Sequence, residues 1–437
     1  MKTRAVRLHG ANDLRLDEFE LPPIREDEIL AEVITDSICM STYKCAILGT
    51  AHKRVHPDVA DHPAIMGHEF AGRLVEVGAK YKGQFEPGMK FTLQPALNYR
   101  GTMWSPGYSY EFFGGDTLYT VIPREVMELG NLLEYRGDAY YKASLAEPMS
   151  CSIGAAHAAF HTKMGSYVHE MGIREGGRMA LLAGAGPMGL GMAAYTLNCD
   201  RRPAQLIVTD IDEARLCRAR ELFSSEYARA RGVDLRFVNT SQGDPVALLR
   251  GISEGQGYDD VFVYAPVSSL VRQASDILGR DGCLSFFAGP TDKDFSAEIN
   301  FYDVHYNAAH VIGTTGGNTE DMLESLRLTA EGRLDPSVMV THIGGLDAAA
   351  DTTLRLPKIP GGKKLIYTHL HMPLTAIEDF GKLGRDKVCA LVKGDVETPG
   401  DISGVVYTKM DDDGAWKMQL IRNMKAAGLN IDANRLV

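Results

Sequence analysis

The sequence predicts an α/β protein in two parts: a doubly wound parallel sheet with helices on both faces, and a compact, mainly β domain. Three observations predict it. From Arg178 to Phe287, short apolar runs rich in branched residues alternate with helical stretches, which is the pattern of a parallel sheet. The first third instead holds short alternating strands separated by Gly and Pro turns. A length of 437 residues exceeds one ordinary core and suggests two to three domains.

Composition narrows the function classes. With 45% hydrophobic and 24% charged residues the chain can bury a core, which excludes a largely disordered protein. A net charge of −11 with no basic run argues against a nucleic-acid partner. The opening Met1–Gly10 stretch lacks the apolar core of a signal peptide, and no stretch is apolar enough to cross a bilayer. Seven scattered cysteines form no disulfide framework and no CxxC pair, so a reducing cytoplasm is expected.

The elements follow in order. Strands are expected at Glu28–Ile34, Ala71–Val77 and Asp116–Ile122, the last stopped by Pro123, and Glu86–Leu93 pairs a Pro/Gly turn with a strand. Ser152–Met164 is small and apolar without alternation, as a helix would be. Arg178–Leu182 is a strand leading to a Gly-rich turn and a helix over Met188–Leu197. Gln205–Thr209 is a strand, Glu213–Arg231 a charged helix, and Leu235–Val238, Asp260–Tyr264 and Cys283–Phe287 further strands. An amphipathic helix over Glu320–Glu331 stops at Gly332, and strands follow at Val338–Thr341 and Lys364–Thr368. In the tail, Pro373–Leu383 and Met424–Leu429 suit short helices, and Val405–Lys409 with Ala415–Leu420 a hairpin.

Two constellations carry chemistry. The first is Gly184-Ala185-Gly186-Pro187-Met188-Gly189, placed after an apolar strand and before a helix. Gly184 permits the tight turn, Gly186 a close approach of a pyrophosphate, and Gly189 close helix–strand packing. Asp210, about 20 residues on at the end of the next strand, suits a ribose diol. Its charge repels a ribose 2′-phosphate and so favours NAD. Arg215 nearby would meet adenine or a phosphate, which keeps NADP open. The second is Cys39 with His68 and Glu69: thiolate, imidazole and carboxylate suit a zinc ion with one open position. Glu147, before Pro148 at the expected junction, would complete that shell, hold a metal-bound water or serve only as a surface turn.

The order Cys39, Gly67–Gly72, Gly114-Gly115 ahead of the strand ending at Pro123, Glu147-Pro148, Gly184–Gly189 and Asp210 resembles the zinc-dependent medium-chain dehydrogenases. It is most similar to their sorbitol, threonine and butanediol dehydrogenase branch, from Met1 to about Thr368. The insert around His52–His62 and the stretch Tyr367–Phe380 resemble, within that branch, the reductases that act on L-sorbose 1-phosphate.

The resemblance implies a GroES-like catalytic domain over 1–151, a Rossmann dinucleotide-binding domain over 152–317, and a return to the catalytic domain with a C-terminal extension over 318–437. It implies zinc on Cys39, His68 and the acid of Glu69 or Glu147, and a proton relay that begins at Ser41. Where relatives carry an acid and a distal His in that relay, this chain has Thr42 and Lys44. Leu93–Gly115, the region of a structural-zinc lobe in many relatives, contains no Cys, so one catalytic zinc and no structural zinc is expected.

The expected reaction is hydride transfer between NAD(H) and a ketose phosphate/polyol phosphate pair, of the L-sorbose 1-phosphate to glucitol 6-phosphate type. A polyol or butanediol dehydrogenase for an uncharged substrate, and a non-catalytic NAD(H)-binding sensor, are the alternatives. Lys44, Lys53, Arg54 and Arg100 are candidates to meet a phosphate, or are solvated surface charges. Family likeness also implies a homodimer or homotetramer.

Overall fold

The computed structural model of the chain describes residues 1–137, 139–163 and 165–382. The chain divides into two units: Met1–Glu147 with the part from Val340, and Pro148–Met339. The expected elements beyond residue 382 lie outside the described residues.

The first unit is mainly β. Lys2–Gly10 and Asp13–Glu20 form a hairpin, and Ala64–Ile65 pairs with the first of them. The larger sheet runs Thr375–Ala376, Val340–Gly345, Lys363–Tyr367, Ile29–Ile38, Phe70–Val77, Lys90–Leu93, Leu132–Glu134, with Tyr119–Ile122 also pairing Ile29–Ile38. Lys363–Tyr367 is thus an antiparallel neighbour of Ile29–Ile38, opposite Thr35 to Ile38. Ile29, Ala31, Val33, Phe70, Leu74 and Phe91 sit in one buried cluster, where the alternation of three neighbouring strands meets.

The second unit is a six-stranded, all-parallel sheet. Its order is Asp234–Asn239, Gln205–Asp210, Arg178–Leu182, Tyr258–Val263, Leu278–Phe286, His310–Gly313. Numbered along the unit this is 3-2-1-4-5-6, the doubly wound order that binds dinucleotides at the carboxyl ends of its strands. Ala180, Leu182, Val261, Val263 and Leu284 are fully buried, as strands covered on both faces must be.

Several elements differ from expectation. Pro373–Leu383, expected as a short helix, opens with the strand Thr375–Ala376 and continues as a 3-10 helix over Ile377–Lys382. The strand expected from Val338 starts at Val340, after a 3-10 helix over Pro336–Met339. Three more differ for local reasons. The helix expected from Ser152 begins at Ala146 and ends at Ala158, and Phe160–Thr162 is a strand. Pro148 lies in its first turn, where a missing N–H costs no intrahelical bond. The charged helix divides into Glu213–Leu222 and Ser225–Arg229, because the Ser224 side chain accepts from Tyr227 N and starts a new helix. The hairpin Lys2–Glu20 was not read from the sequence, since Asp13–Glu20 leaves no residue fully buried and carries charges on both faces.

Within the second unit, Thr319–Ala330 is fixed by a capping box of Asn318 and Asp321. Asp321 also bonds His157 Nδ1 at 2.8 Å, while His157 Nε2 lies 3.3 Å from Glu324 and 3.2 Å from the Tyr195 hydroxyl. Hydrogen bonds to Asp321 and Glu324 raise the His157 imidazole to about 9. The folded value lies above the unfolded value of 6.5, so this contribution to stability is full below about pH 6.5 and is lost as pH rises through about 9. Thermal unfolding scans across that window should show a loss that His157→Gln lacks. His157 is half exposed, which keeps the effect small.

Candidate active site

Each unit carries one candidate site. In the first, Ile29–Ile38 ends and Cys39 becomes the residue before helix Met40–Leu48. A thiolate at a helix N-terminus is favoured by the helix dipole. The loop ahead of Phe70–Val77 supplies His68 and Glu69, both buried. Their ligand atoms and the Cys39 sulfur all lie within 4.8 Å of one another.

Hydrogen bonds orient these groups. The Ser41 hydroxyl donates to the Cys39 sulfur at 3.0 Å and lies 3.3 Å from His68 Nε2. Thr42 Oγ1 lies 3.3 Å from His68 Nδ1, so both ring nitrogens have a hydroxyl neighbour. The Tyr108 hydroxyl donates to Ser41 Oγ at 2.8 Å and lies 3.4 Å from His68 Nε2. Glu69 is gripped by Lys363, whose ammonium bonds both carboxylate oxygens, and by the Ser37 hydroxyl. Its backbone N–H donates to Asp36 at 3.0 Å.

The electrostatics suit a cation. Burial and then Glu69 push the Cys39 thiol up, with Lys363 opposing. Burial holds the His68 imidazole down, so it is neutral at neutral pH and keeps a lone pair. Burial, then Glu69, pushes Glu147 up to about 8. Burial works against the Lys363 charge, but Glu69, Cys39 and Glu147 outweigh it and raise the ammonium. One ammonium thus stands among a thiol and two acids, and a divalent ion would relieve that crowding. The donor set therefore fits zinc. Below it, burial and Asp116 hold Asp36 well above the carboxylate range, and burial lifts Asp116 to about 6.

Of the residues singled out in the sequence, Cys39, His68, Glu69, Ser41 and Glu147 come together. Lys44 lies on the same helix as Ser41, half-buried, and its charge reaches His52. Lys363 was missed: it heads an apolar strand, and only its fold partner gives it a role. Two lysines at the head of a buried strand were the available signal. The bond from Tyr108 to Ser41 was not legible in the sequence either.

In the second unit, the Gly-rich turn follows the first strand, and Gly186 caps a helix with Pro187 at its first position. A Cβ on Gly189 would stand 2.2 Å from Gly184 O, so only glycine lets helix and turn pack. A Cβ on Gly186 would meet nothing within 4 Å, which leaves room above the helix N-terminus for a pyrophosphate. Asp210, at the end of the second strand, accepts from Ile211 N at 2.9 Å and Asp212 N at 3.1 Å through Oδ1. Its Oδ2 is buried with no hydrogen-bond partner, so it can accept from a ribose hydroxyl. Arg215 is half exposed, 3.7 Å from Asp212.

Residues 173–331 match a family described as zinc-binding dehydrogenase. The chain is 53% identical over 383 residues to the mannitol-1-phosphate 5-dehydrogenase of Aliivibrio fischeri, covering 87% of this chain and 90% of that one. It is 45% identical over 390 residues to the L-sorbose 1-phosphate reductase of Klebsiella pneumoniae, covering 89% and 93%. The crystal structure of 2R,3R-butanediol dehydrogenase from Bacillus subtilis shares the fold, with a TM-score of 0.67 at 22% identity over 84% of this chain and 100% of that one.

Two outcomes follow from this geometry. Lys363→Met leaves the buried Glu69 charge uncompensated and should cost about 3–5 kcal/mol in urea unfolding, while Lys363→Arg should cost less. Asp210→Asn should weaken NADH about tenfold in a fluorescence titration and narrow the gap to NADPH, because an amide no longer repels a 2′-phosphate.

Proposed function

The chain belongs to the zinc-binding dehydrogenases, and from that premise we propose that it transfers hydride between NAD(H) and a ketose phosphate/polyol phosphate pair, of the L-sorbose 1-phosphate and glucitol 6-phosphate kind. The observation that carries this reading is the buried donor set of Cys39, His68 and Glu69, in a chain similar along most of its length to two sugar-phosphate enzymes.

Cys39, His68 and Glu69 would hold zinc, with Glu147 completing the donor set. Bound there, the metal supplies a Lewis acid that eases ionisation of a substrate hydroxyl. The nicotinamide supplies or accepts the hydride. The chain's own residues do the rest. Thr42 keeps the neutral His68 ring turned toward the site. Lys363 and Ser37 fix the Glu69 carboxylate. Ser41 Oγ stands beside Cys39 and accepts a hydrogen bond from Tyr108, so Ser41 is the hydroxyl placed to hydrogen-bond the substrate oxygen and Tyr108, which stays protonated, orients it. Thr42 and Lys44 stand where relatives carry the acid and His of a longer relay, and Ser41 is the relay hydroxyl this chain keeps.

Asp210 supports NAD(H) over its phosphorylated form. The edge strand His310–Gly313, with exposed Phe301, Tyr302, Tyr306 and Val311, supports a homodimer through the second unit's sheet. No helix among the described residues is long and apolar enough to cross a membrane. The six described cysteines are free thiols, which fits the cytoplasm.

Purified protein should contain about one zinc per chain by elemental analysis, and chelation should abolish turnover. Cys39→Ser should lose metal and turnover while still binding NADH. A metal-free wild type that turns over normally would sink the zinc reading. Equal kcat/KM on a ketose and its phosphate would sink the substrate reading.

A further inference from the structure

A phosphorylated substrate needs a holder for its phosphate, and the first unit offers one beside the donor set. After helix Met40–Leu48 the chain turns through Gly49–Ala51 and brings His52 and Arg54 onto one aromatic ring. His52 stacks on Tyr108 with ring centroids 5.6 Å apart and planes at 9°. The Arg54 guanidinium carbon lies 5.1 Å from the centre of the same ring. Tyr108 in turn lies 5.0 Å from the His68 ring and bonds Ser41. Arg54 and His68 therefore lie against the same aromatic ring.

Arg54 is half-buried, and among the described residues no carboxylate pairs with it. Its one side-chain hydrogen bond is a long one, 3.5 Å to Ser105 Oγ. The acids closest in sequence to Arg54 and to Tyr108 are engaged elsewhere: Asp58 by His56, and Glu111 by His62 and Arg7. The local field is positive, since burial followed by the charges of Arg54, Lys53 and Lys44 holds His52 down to about 4. His52 is therefore an uncharged imidazole at neutral pH, able to donate one hydrogen bond.

The geometry points to Arg54 as the residue that binds the substrate phosphate, with His52 beside it and Lys53 and Lys44 adding charge. This rests on the reading of the enzyme as a sugar-phosphate dehydrogenase. A planar guanidinium offers a phosphate two parallel hydrogen bonds, and Arg54 has no salt bridge among the described residues to be pulled from first. The ring that seats Arg54 also hydrogen-bonds Ser41, so a phosphate on Arg54 is held at a fixed offset from the reacting end.

The test compares kcat/KM for a ketose phosphate and the same ketose unphosphorylated, in wild type, Arg54→Lys and Arg54→Ala. Inorganic phosphate serves as an inhibitor, and thermal melts report folding. Arg54→Ala should lower kcat/KM on the phosphorylated ketose about 100-fold, mostly through KM, and collapse the preference between the two. Arg54→Lys, which keeps the charge without the fork, should lose about tenfold. Phosphate should compete with the ketose phosphate in wild type, and Arg54→Ala should abolish that inhibition. A preference retained in Arg54→Ala overturns the inference alone. So does an equal slowing of both substrates, which would make Arg54 a prop for Tyr108, and so does competition of phosphate with NADH. A wild type with no preference overturns the substrate reading and the inference with it.

Discussion

The ion pair of Lys363 with Glu69 is the contact on which the first unit's chemistry depends. It joins residues 294 apart in the chain, and both side chains are almost entirely buried. Two charges taken out of water are costly singly, and this pair is stable because ammonium and carboxylate meet through both oxygens while Ser37 adds a further bond. The pair pins Lys363–Tyr367 beside Ile29–Ile38, in the register that sets Lys364 opposite Ile38. Cys39 leaves the end of that second strand, and His68 precedes Glu69. Holding Glu69 therefore holds all three donors.

What could be read in advance was whatever local sequence determines. The Gly184–Gly189 turn, the acid at Asp210 and the apolar strands that flank them are short-range patterns, and the parallel sheet has them where expected. His68 and Glu69 stood out because they adjoin each other between glycines. Lys363 and Tyr108 did not, since a lysine in a buried strand and a tyrosine in a loop gain their roles only from partners far along the chain. The start of helix Ala146–Ala158 was missed for the opposite reason: Glu147-Pro148 looks like a turn locally, yet a proline in a first turn opens a helix as readily as it ends one.

Tyr108 touches groups of two kinds. It bonds Ser41 and lies against His68, beside the thiol and acids that suit a cation. It also carries His52 and Arg54, and the charges of Arg54, Lys53 and Lys44 around His52 suit an anion. A substrate with a hydroxyl at one end and a phosphate at the other matches that polarity. An uncharged polyol matches only half of it, so on the proposed reading discrimination would come from a field already present before binding.

The first unit is discontinuous, with Pro148–Met339 lying in sequence between its two parts. During synthesis Cys39, His68 and Glu69 leave the ribosome nearly 300 residues ahead of Lys363. Until the last strand arrives, Glu69 has no counter-ion and the edge of Ile29–Ile38 that will receive Lys363–Tyr367 stays open. Domains fold as units once their parts are present, so the unit begun first is the one completed last. Loading of a metal on these residues would thereby be tied to chain completion: a polypeptide truncated before Lys363 would carry the donors without the grip that assembles them.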